Sequence, residues 1–286
     1  MPELPETETI ARDLDRAIGG ASIADVTVRR HDVLRGVTAS TLRRRLRGTT
    51  IQRAWRRAKL VVLDLATGDR LVVQPRFTGA LLLEDRPRDP VGLPGVAALP
   101  ARERRYSTIA ITLGDGRRLH YRDIRRLGTV TLMSPAQFDA YSAAIGPEPL
   151  DPAFTAANFR DLVARSRQAV KKVLMDQRQL AGVGNIYATE SLWRAGLDPS
   201  RPGARVAPDR AVVLHRALLD VLTAAIAARG TSFRDYRDAS GAPGAFAEQL
   251  DAYGRAGAPC RRCGARLIGT HAIDGRMTVF CARCQR

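Results

Sequence analysis

The chain has 286 residues, enough for one large domain or two of ordinary size. Forty-six lysines and arginines against 29 aspartates and glutamates leave a formal charge of +17, a balance that attracts a polyanion. No apolar run reaches the roughly 18–20 residues of a membrane span, and no secretory signal precedes Pro2, so nucleic acid in the cytoplasm is the expected setting. An arginine-rich genome could raise the charge without any function, so charge alone does not decide.

The first element begins Met1-Pro2-Glu3-Leu4-Pro5-Glu6. Methionine before a small residue is readily removed, which would expose Pro2 as a secondary amine. An α-amine titrates near about 7.7–8.0 against about 10.4 for lysine, so it is far more nucleophilic at neutral pH. Attack on an electrophilic sugar carbon would give an iminium that keeps its positive charge, because its nitrogen has no proton to lose. Glu3 stands where a proton shuttle is needed. The pentapeptide reads equally well as a proline-punctuated helix start. Beyond it Ile10, Leu14 and Ile18 recur every four positions as one buried helical stripe, and Gly19-Gly20 ends it.

Short β-branched or alternating runs follow at Ser22–Val28, Thr50–Trp55, Leu60–Leu65, Leu71–Val73, Ala80–Leu83, Thr108–Leu113, Arg118–Tyr121 and Thr129–Leu132. Turn signals such as Thr67-Gly68-Asp69 separate them, and one small helix near Thr41–Arg47 interrupts them. Strands without intervening helices predict an antiparallel sandwich or barrel. The proline- and glycine-rich stretch 86–105 is longer than a compact domain usually tolerates unless it is functional or mobile. Gly146–Pro152 is the clearest linker. Helical patterning then covers Phe159–Ala164, Val170–Gln177, Ile186–Ala195 and Asp209–Ala228; a loop from Gly230 to Gly244 leads to a short helix at Ala245–Ala252. The expected class is α+β: an N-terminal helix and antiparallel β-sandwich over 1–134, a linker over 135–152, a helical domain over 153–254 and a metal finger over 255–286.

Leu180-Ala181-Gly182-Val183-Gly184-Asn185 sets two glycines before a helix, where backbone N–H groups and the helix dipole favour phosphate; an ordinary helix–helix turn has the same look. Near the end, Cys260-x2-Cys263 and Cys281-x2-Cys284 lie seventeen residues apart. Two such pairs match the four-thiolate zinc ribbon, with one structural Zn2+ and no open coordination position. They are the only four cysteines. Two disulfides are the alternative, which the missing secretory signal disfavours.

In order, PELPE, Arg56-Arg57-Ala58-Lys59, Asp123-Ile124-Arg125-Arg126-Leu127-Gly128, Gly146-Pro147-Glu148-Pro149-Leu150, the LAGVGNIYA stretch from Leu180 and the terminal finger make up six motifs. The chain resembles, from Pro2 to Gln285, the formamidopyrimidine-DNA glycosylases, the bacterial base-excision family that includes endonuclease VIII. The resemblance implies a helix–two-turn–helix element and a zinc finger that grip damaged or abasic duplex DNA, in a monomer. It implies Pro2 as the nucleophile at C1′, Glu3 as the proton-handling group and Glu6 as support for the amine. Lys59 would contact phosphate beside the lesion. Asn185 and Arg276 would hold backbone phosphates, Arg125 would face the orphaned base, and Arg126 and Leu127 would also bind DNA. It further implies glycosylase and lyase chemistry with neither redox cofactor nor catalytic metal.

The match has departures. Where the family usually has Leu-Gly-Met-Ser-Gly, this chain has Pro75-Arg76-Phe77-Thr78-Gly79, so Phe77 stands where methionine plugs the gap. Leu127 replaces a phenylalanine, Ile124 a proline, and Thr7 the commoner valine. An enzyme for oxidised purines is the leading expectation, since the Gly230–Gly244 loop is long enough to cover a purine. An endonuclease VIII-like enzyme for oxidised pyrimidines, a non-enzymatic zinc-ribbon DNA-binding protein and an RNA-binding ribbon protein are the alternatives. The retained Pro2, Glu3 and Lys59 argue against the last two.

Overall fold

A computed structural model of the chain describes residues 2–85, 99–233 and 235–286. Met1 and residues 86–98 of the long 86–105 stretch lie outside the described residues. The chain divides into two compact units, Met1–Ala143 with Ala228–Ala245, and Ala144–Ala227 with Phe246–Arg286.

The first unit opens with α1 (Leu4–Ile18). Glu3 is its N-cap, in a reciprocal capping box with Glu6. Pro5 falls in the first turn, where a missing N–H costs nothing. Ile10, Leu14 and Ile18 are fully buried, as the stripe predicts. Then come β1 (Ile23–Val28), α2 (Ala39–Leu46), β2 (Ile51–Arg57), β3 (Leu60–Leu65), β4 (Arg70–Gln74) and β5 (Gly79–Glu84). They are followed by α3 (Ala101–Arg105), β6 (Ser107–Leu113), β7 (Arg118–Asp123), β8 (Thr129–Met133) and α4 (Pro135–Ala143).

All pairings among these strands are antiparallel, in two four-stranded sheets ordered β1-β6-β7-β5 and β2-β3-β4-β8. Alternate residues point inward: Val61 and Leu63 opposite Val73 and Leu71 in one sheet, Leu81 and Leu83 opposite Tyr121 and Leu119 in the other. These inner faces share one apolar core with the α1 stripe, so the unit is a sandwich with a helix packed onto β2 and β3.

The second unit contains α5 (Ala156–Ala164), α6 (Val170–Met175), α7 (Asn185–Ala195), α8 (Pro208–Ala227) and the hairpin β9 (Ile268–Thr270) and β10 (Thr278–Phe280). Phe159, Tyr187, Leu192, Leu214, Leu218 and Leu222 are fully buried in it. Among the described residues no helix is long and apolar enough to cross a membrane.

Two elements differ from the sequence expectation. The stretch 135–152, expected as linker, begins with α4. Its start is signalled by Ser134-Pro135-Ala136-Gln137, in which Ser134 and Gln137 exchange hydrogen bonds between side chain and backbone N–H. The helix expected at Ala245–Ala252 shrinks to a single 3-10 turn, Phe246–Gln249. The backbone N–H groups of Asp251, Ala252 and Tyr253 all donate to the buried Glu190 carboxylate at 2.7–2.9 Å, which draws the chain out of a helical path. Because the stripe on α1 joins both sheets, Leu14→Ala is expected to cost about 2–5 kcal/mol of stability. A denaturant melt should show one cooperative shift of the sandwich signal; independent loss of α1 alone would contradict a shared core.

Candidate active site

The N-terminal site grows from the capping box. Glu6 accepts the Glu3 N–H at 2.8 Å with one carboxylate oxygen and the Thr231 N–H at 2.7 Å with the other. Pro2, Glu3 and Glu6 are all buried. Gly230, at φ +87, makes the approach possible, since a Cβ there would lie 2.9 Å from the Glu6 side chain. The Tyr236 phenol packs into the same core, and burial, with the Glu6 and Asp238 charges, pushes its pKa well above the ordinary value. Arg229 ties the segment down further through Asp13 and Asp238.

Lys59 follows Ala58, which turns the β2–β3 hairpin at φ +51. The Ala58 carbonyl accepts from Arg56 at 3.1 Å and, at 3.4 Å, from the Thr7 hydroxyl. Arg56 also pairs with Glu8 at 2.7 Å. Burial raises the Glu8 pKa, but Arg56 and Arg12 outweigh it and hold the carboxyl below its usual range. The Lys59 hairpin is thus latched to the first two turns of α1. The Thr7 hydroxyl donates chiefly to the Glu3 carbonyl, at 2.8 Å, so the latch rests on Arg56, which bridges Glu8 and the Ala58 carbonyl.

The turns carrying the other departures meet as well. Phe77 is 44% exposed, so it is not a core residue, and the Arg125 guanidinium lies 4.8 Å from its ring centroid. Leu127 is 41% exposed, and Arg126 pairs with Asp32 at 3.2 Å. Phe77 and Arg126 sit at φ +48 and +54, in the left-handed region that costs a bulky residue free energy. With Ala58 and Arg229, these are the non-glycine residues at positive φ among the described residues. All four lie on the segments that carry the candidate site of this unit.

In the second unit Asn185 begins α7 after the N-cap Gly184, and its amide donates to the Met277 carbonyl at 3.0 Å. Arg276 lies in the β9–β10 hairpin, next to that carbonyl. Asp274 shapes the hairpin: one oxygen accepts the Arg276 N–H at 2.9 Å and the other meets Lys171 at 3.0 Å. Lys171 is fully buried and also donates to Thr278. The sequence reading missed it; the signal was a lysine inside the apolar run Val170-Lys171-Lys172-Val173-Leu174. Below the hairpin the sulfurs of Cys260, Cys263, Cys281 and Cys284 lie within 4.8 Å of one another, a donor set that fits a tetrahedral thiophilic ion. The cluster packs on Trp193 of α7.

Known proteins are similar to this chain in sequence and fold. The family model described as the formamidopyrimidine-DNA glycosylase N-terminal domain matches residues 1–130, and that of the formamidopyrimidine-DNA glycosylase H2TH domain matches residues 145–237. Formamidopyrimidine-DNA glycosylases of Xanthomonas oryzae pv. oryzae and Desulfitobacterium hafniense are 41% and 35% identical, each over 100% of both chains. A crystal structure of a Lactococcus lactis Fpg mutant with Fapy-dG-containing DNA gives a TM-score of 0.87 at 31% identity over 100% of both chains. That of MutM (Fpg) from Thermus thermophilus gives 0.83 at 34% identity, covering 99% of this chain and 98% of that one. The sandwich, the helical unit and the four-thiol hairpin are those of a DNA-repair glycosylase. The chain belongs to the formamidopyrimidine-DNA glycosylase family.

Because Phe77 is exposed and strained, Phe77→Gly should relieve the left-handed backbone while losing only surface contact, a net change of about 1 kcal/mol or less. A core phenylalanine would cost about 3–5 kcal/mol on truncation, and a thermal melt separates the two.

Proposed function

We propose that the chain is a bifunctional DNA glycosylase and abasic-site lyase that removes oxidised purines, 8-oxoguanine and formamidopyrimidines, from duplex DNA during base excision repair in the bacterial cytoplasm. The observation that supports the reading is the buried Pro2-Glu3-Glu6 start, whose Glu6 carboxylate accepts the Thr231 N–H, together with a Lys59 hairpin tied to the same helix through Arg56 and Glu8. Family membership, and relatives solved with Fapy-dG or abasic-site DNA, support the substrate class.

With Met1 removed, the Pro2 amine attacks C1′ as the damaged base departs, and Glu3 passes a proton to the opening sugar ring. The resulting iminium has no N–H to lose, so its charge acidifies the C2′ proton. Loss of that proton expels the 3′ phosphate. A second elimination expels the 5′ phosphate and leaves a gap. Glu6 accepts the Glu3 N–H, which fixes the turn that presents Pro2. Lys59 contacts a phosphate beside the lesion, and Asn185 and Arg276 contact others. Arg125, Arg126 and Leu127 face the orphaned base, and Phe77 occupies the emptied stack, whose opening costs a few kcal/mol. Cys260, Cys263, Cys281 and Cys284 hold one Zn2+, whose contribution is to fold the finger.

Borohydride should trap a protein–DNA adduct on 8-oxoguanine or abasic duplex, and peptide mapping should place it at Pro2. Pro2→Gly, or a retained Met1, should reduce trapping strongly; undiminished trapping by a chain with a blocked N-terminus would move the nucleophile elsewhere.

Cys281→Ser should release about one zinc per chain and weaken duplex binding, since small ribbons draw most of their folding free energy from the metal. Arg276→Ala should keep the zinc and flatten the salt dependence of binding by about one phosphate contact. Normal duplex affinity in the cysteine variant would remove the finger from the DNA grip.

A further inference from the structure

Phe77 and Arg125 lie on different turns, 48 residues apart in sequence, yet a single buried carboxylate joins those turns. Asp123, 1% exposed, accepts the Thr78 hydroxyl at 2.6 Å on one oxygen. Its other oxygen accepts the Gly128 N–H at 2.9 Å and the Tyr121 hydroxyl at 3.2 Å. The Thr78 oxygen in turn accepts the Arg125 N–H at 2.9 Å. Thr78, itself buried, therefore donates to one turn's anchor and accepts from the residue that stacks on its own neighbour. Gly128 is required at the far side, since a Cβ there would lie 2.6 Å from the Gln74 carbonyl and 3.1 Å from Asp123.

The relay explains how the strain is sustained. Phe77 and Arg126 flank it at positive φ, conformations that persist only when their surroundings over-determine them. Here each strained residue adjoins a hydrogen-bonded neighbour: buried Thr78 beside Phe77, and beside Arg126 the exposed Arg125, whose backbone N–H is held on Thr78. A buried carboxylate that accepts three hydrogen bonds is costly to disturb, because any donor left behind keeps its full desolvation penalty.

We propose that Asp123, acting through Thr78, is the positioning residue that holds the Phe77 and Arg125 turns as one preassembled plug. The plug is built before DNA arrives, so wedge and reader enter the duplex together. Loosening the relay uncouples opening of the stack from choice of the opposite base. This rests on the reading of both turns as the surface that enters DNA.

The test uses the full-length chain with Thr78→Val, which keeps the shape and deletes the relay, and Thr78→Ser, which keeps the hydroxyl. Asp123→Asn is a third variant that retains size and one acceptor. Single-turnover excision of 8-oxoguanine opposite each base is compared with cleavage at a preformed abasic site. In parallel, 2-aminopurine opposite a tetrahydrofuran abasic analogue reports unstacking at saturating protein, with no chemistry required. Thr78→Val should slow excision by about tenfold or more, as expected for a broken buried relay, and abasic cleavage far less. It should also level the opposite-base ratios and shrink the 2-aminopurine signal, and Thr78→Ser should restore all three. Retention of the signal and the ratios by Thr78→Val overturns the proposal, as does equal loss of excision and abasic cleavage. Wild-type protein that unstacks 2-aminopurine yet cleaves nothing would refute the enzymatic reading and leave the plug standing. Wild-type protein without an unstacking signal refutes the plug.

Discussion

The buried Glu6 carboxylate accepts the nearby Glu3 N–H with one oxygen and, with the other, the N–H of Thr231, 225 residues further along the chain. Both acceptors are satisfied by backbone, so the arrangement does not depend on side-chain choice at the partner positions. It depends on a helix start at residue 3 and a glycine at 230. Shifting either by a residue would strand a buried charge, whose desolvation cost exceeds that of most single interactions in a protein. The capped helix start is thus a geometric requirement of this unit.

Much of this was readable from sequence where the signal is local. The α1 stripe, the eight strands and the thiol spacing each follow from periodicity or ligand geometry within a short window. Pro2 and Glu3 stand out because amine and carboxylate chemistry at those positions suits one reaction, whereas Lys59 is singled out only by the family resemblance. What escaped has its partner far away in the chain. Thr231, Thr78 and Asp274 are small polar residues in loops, and nothing local marks them as anchors. Sequence order also gave no sign that Ala228–Ala245 returns to the first unit after the long helix α8. Phe77 was legible as a departure from the family, but only its exposure shows that it is not a core ring.

The first unit keeps its core apolar and its strain at the turns. Val61, Leu63, Leu71 and Leu81 occupy ordinary strand positions, while Ala58, Phe77, Arg126 and Arg229 hold conformations that glycine would adopt more cheaply. A well-packed sandwich supplies the rigidity that such turns need. The two sides answer to different demands, so stabilising substitutions belong in the sheets and changes of specificity in the turns.

The distance between Glu6 and Thr231 has a consequence for biosynthesis. At about 5–20 residues per second, the ribosome takes on the order of ten seconds or more to deliver residue 231 after residue 6. During that interval the N-terminal segment has emerged without the partner that helps to bury it. Removal of Met1, which the proposed mechanism requires, would fall in that interval, before the fold closes over Pro2. The order of synthesis would give such a step its window, and the late arrival of one backbone N–H would help to end it.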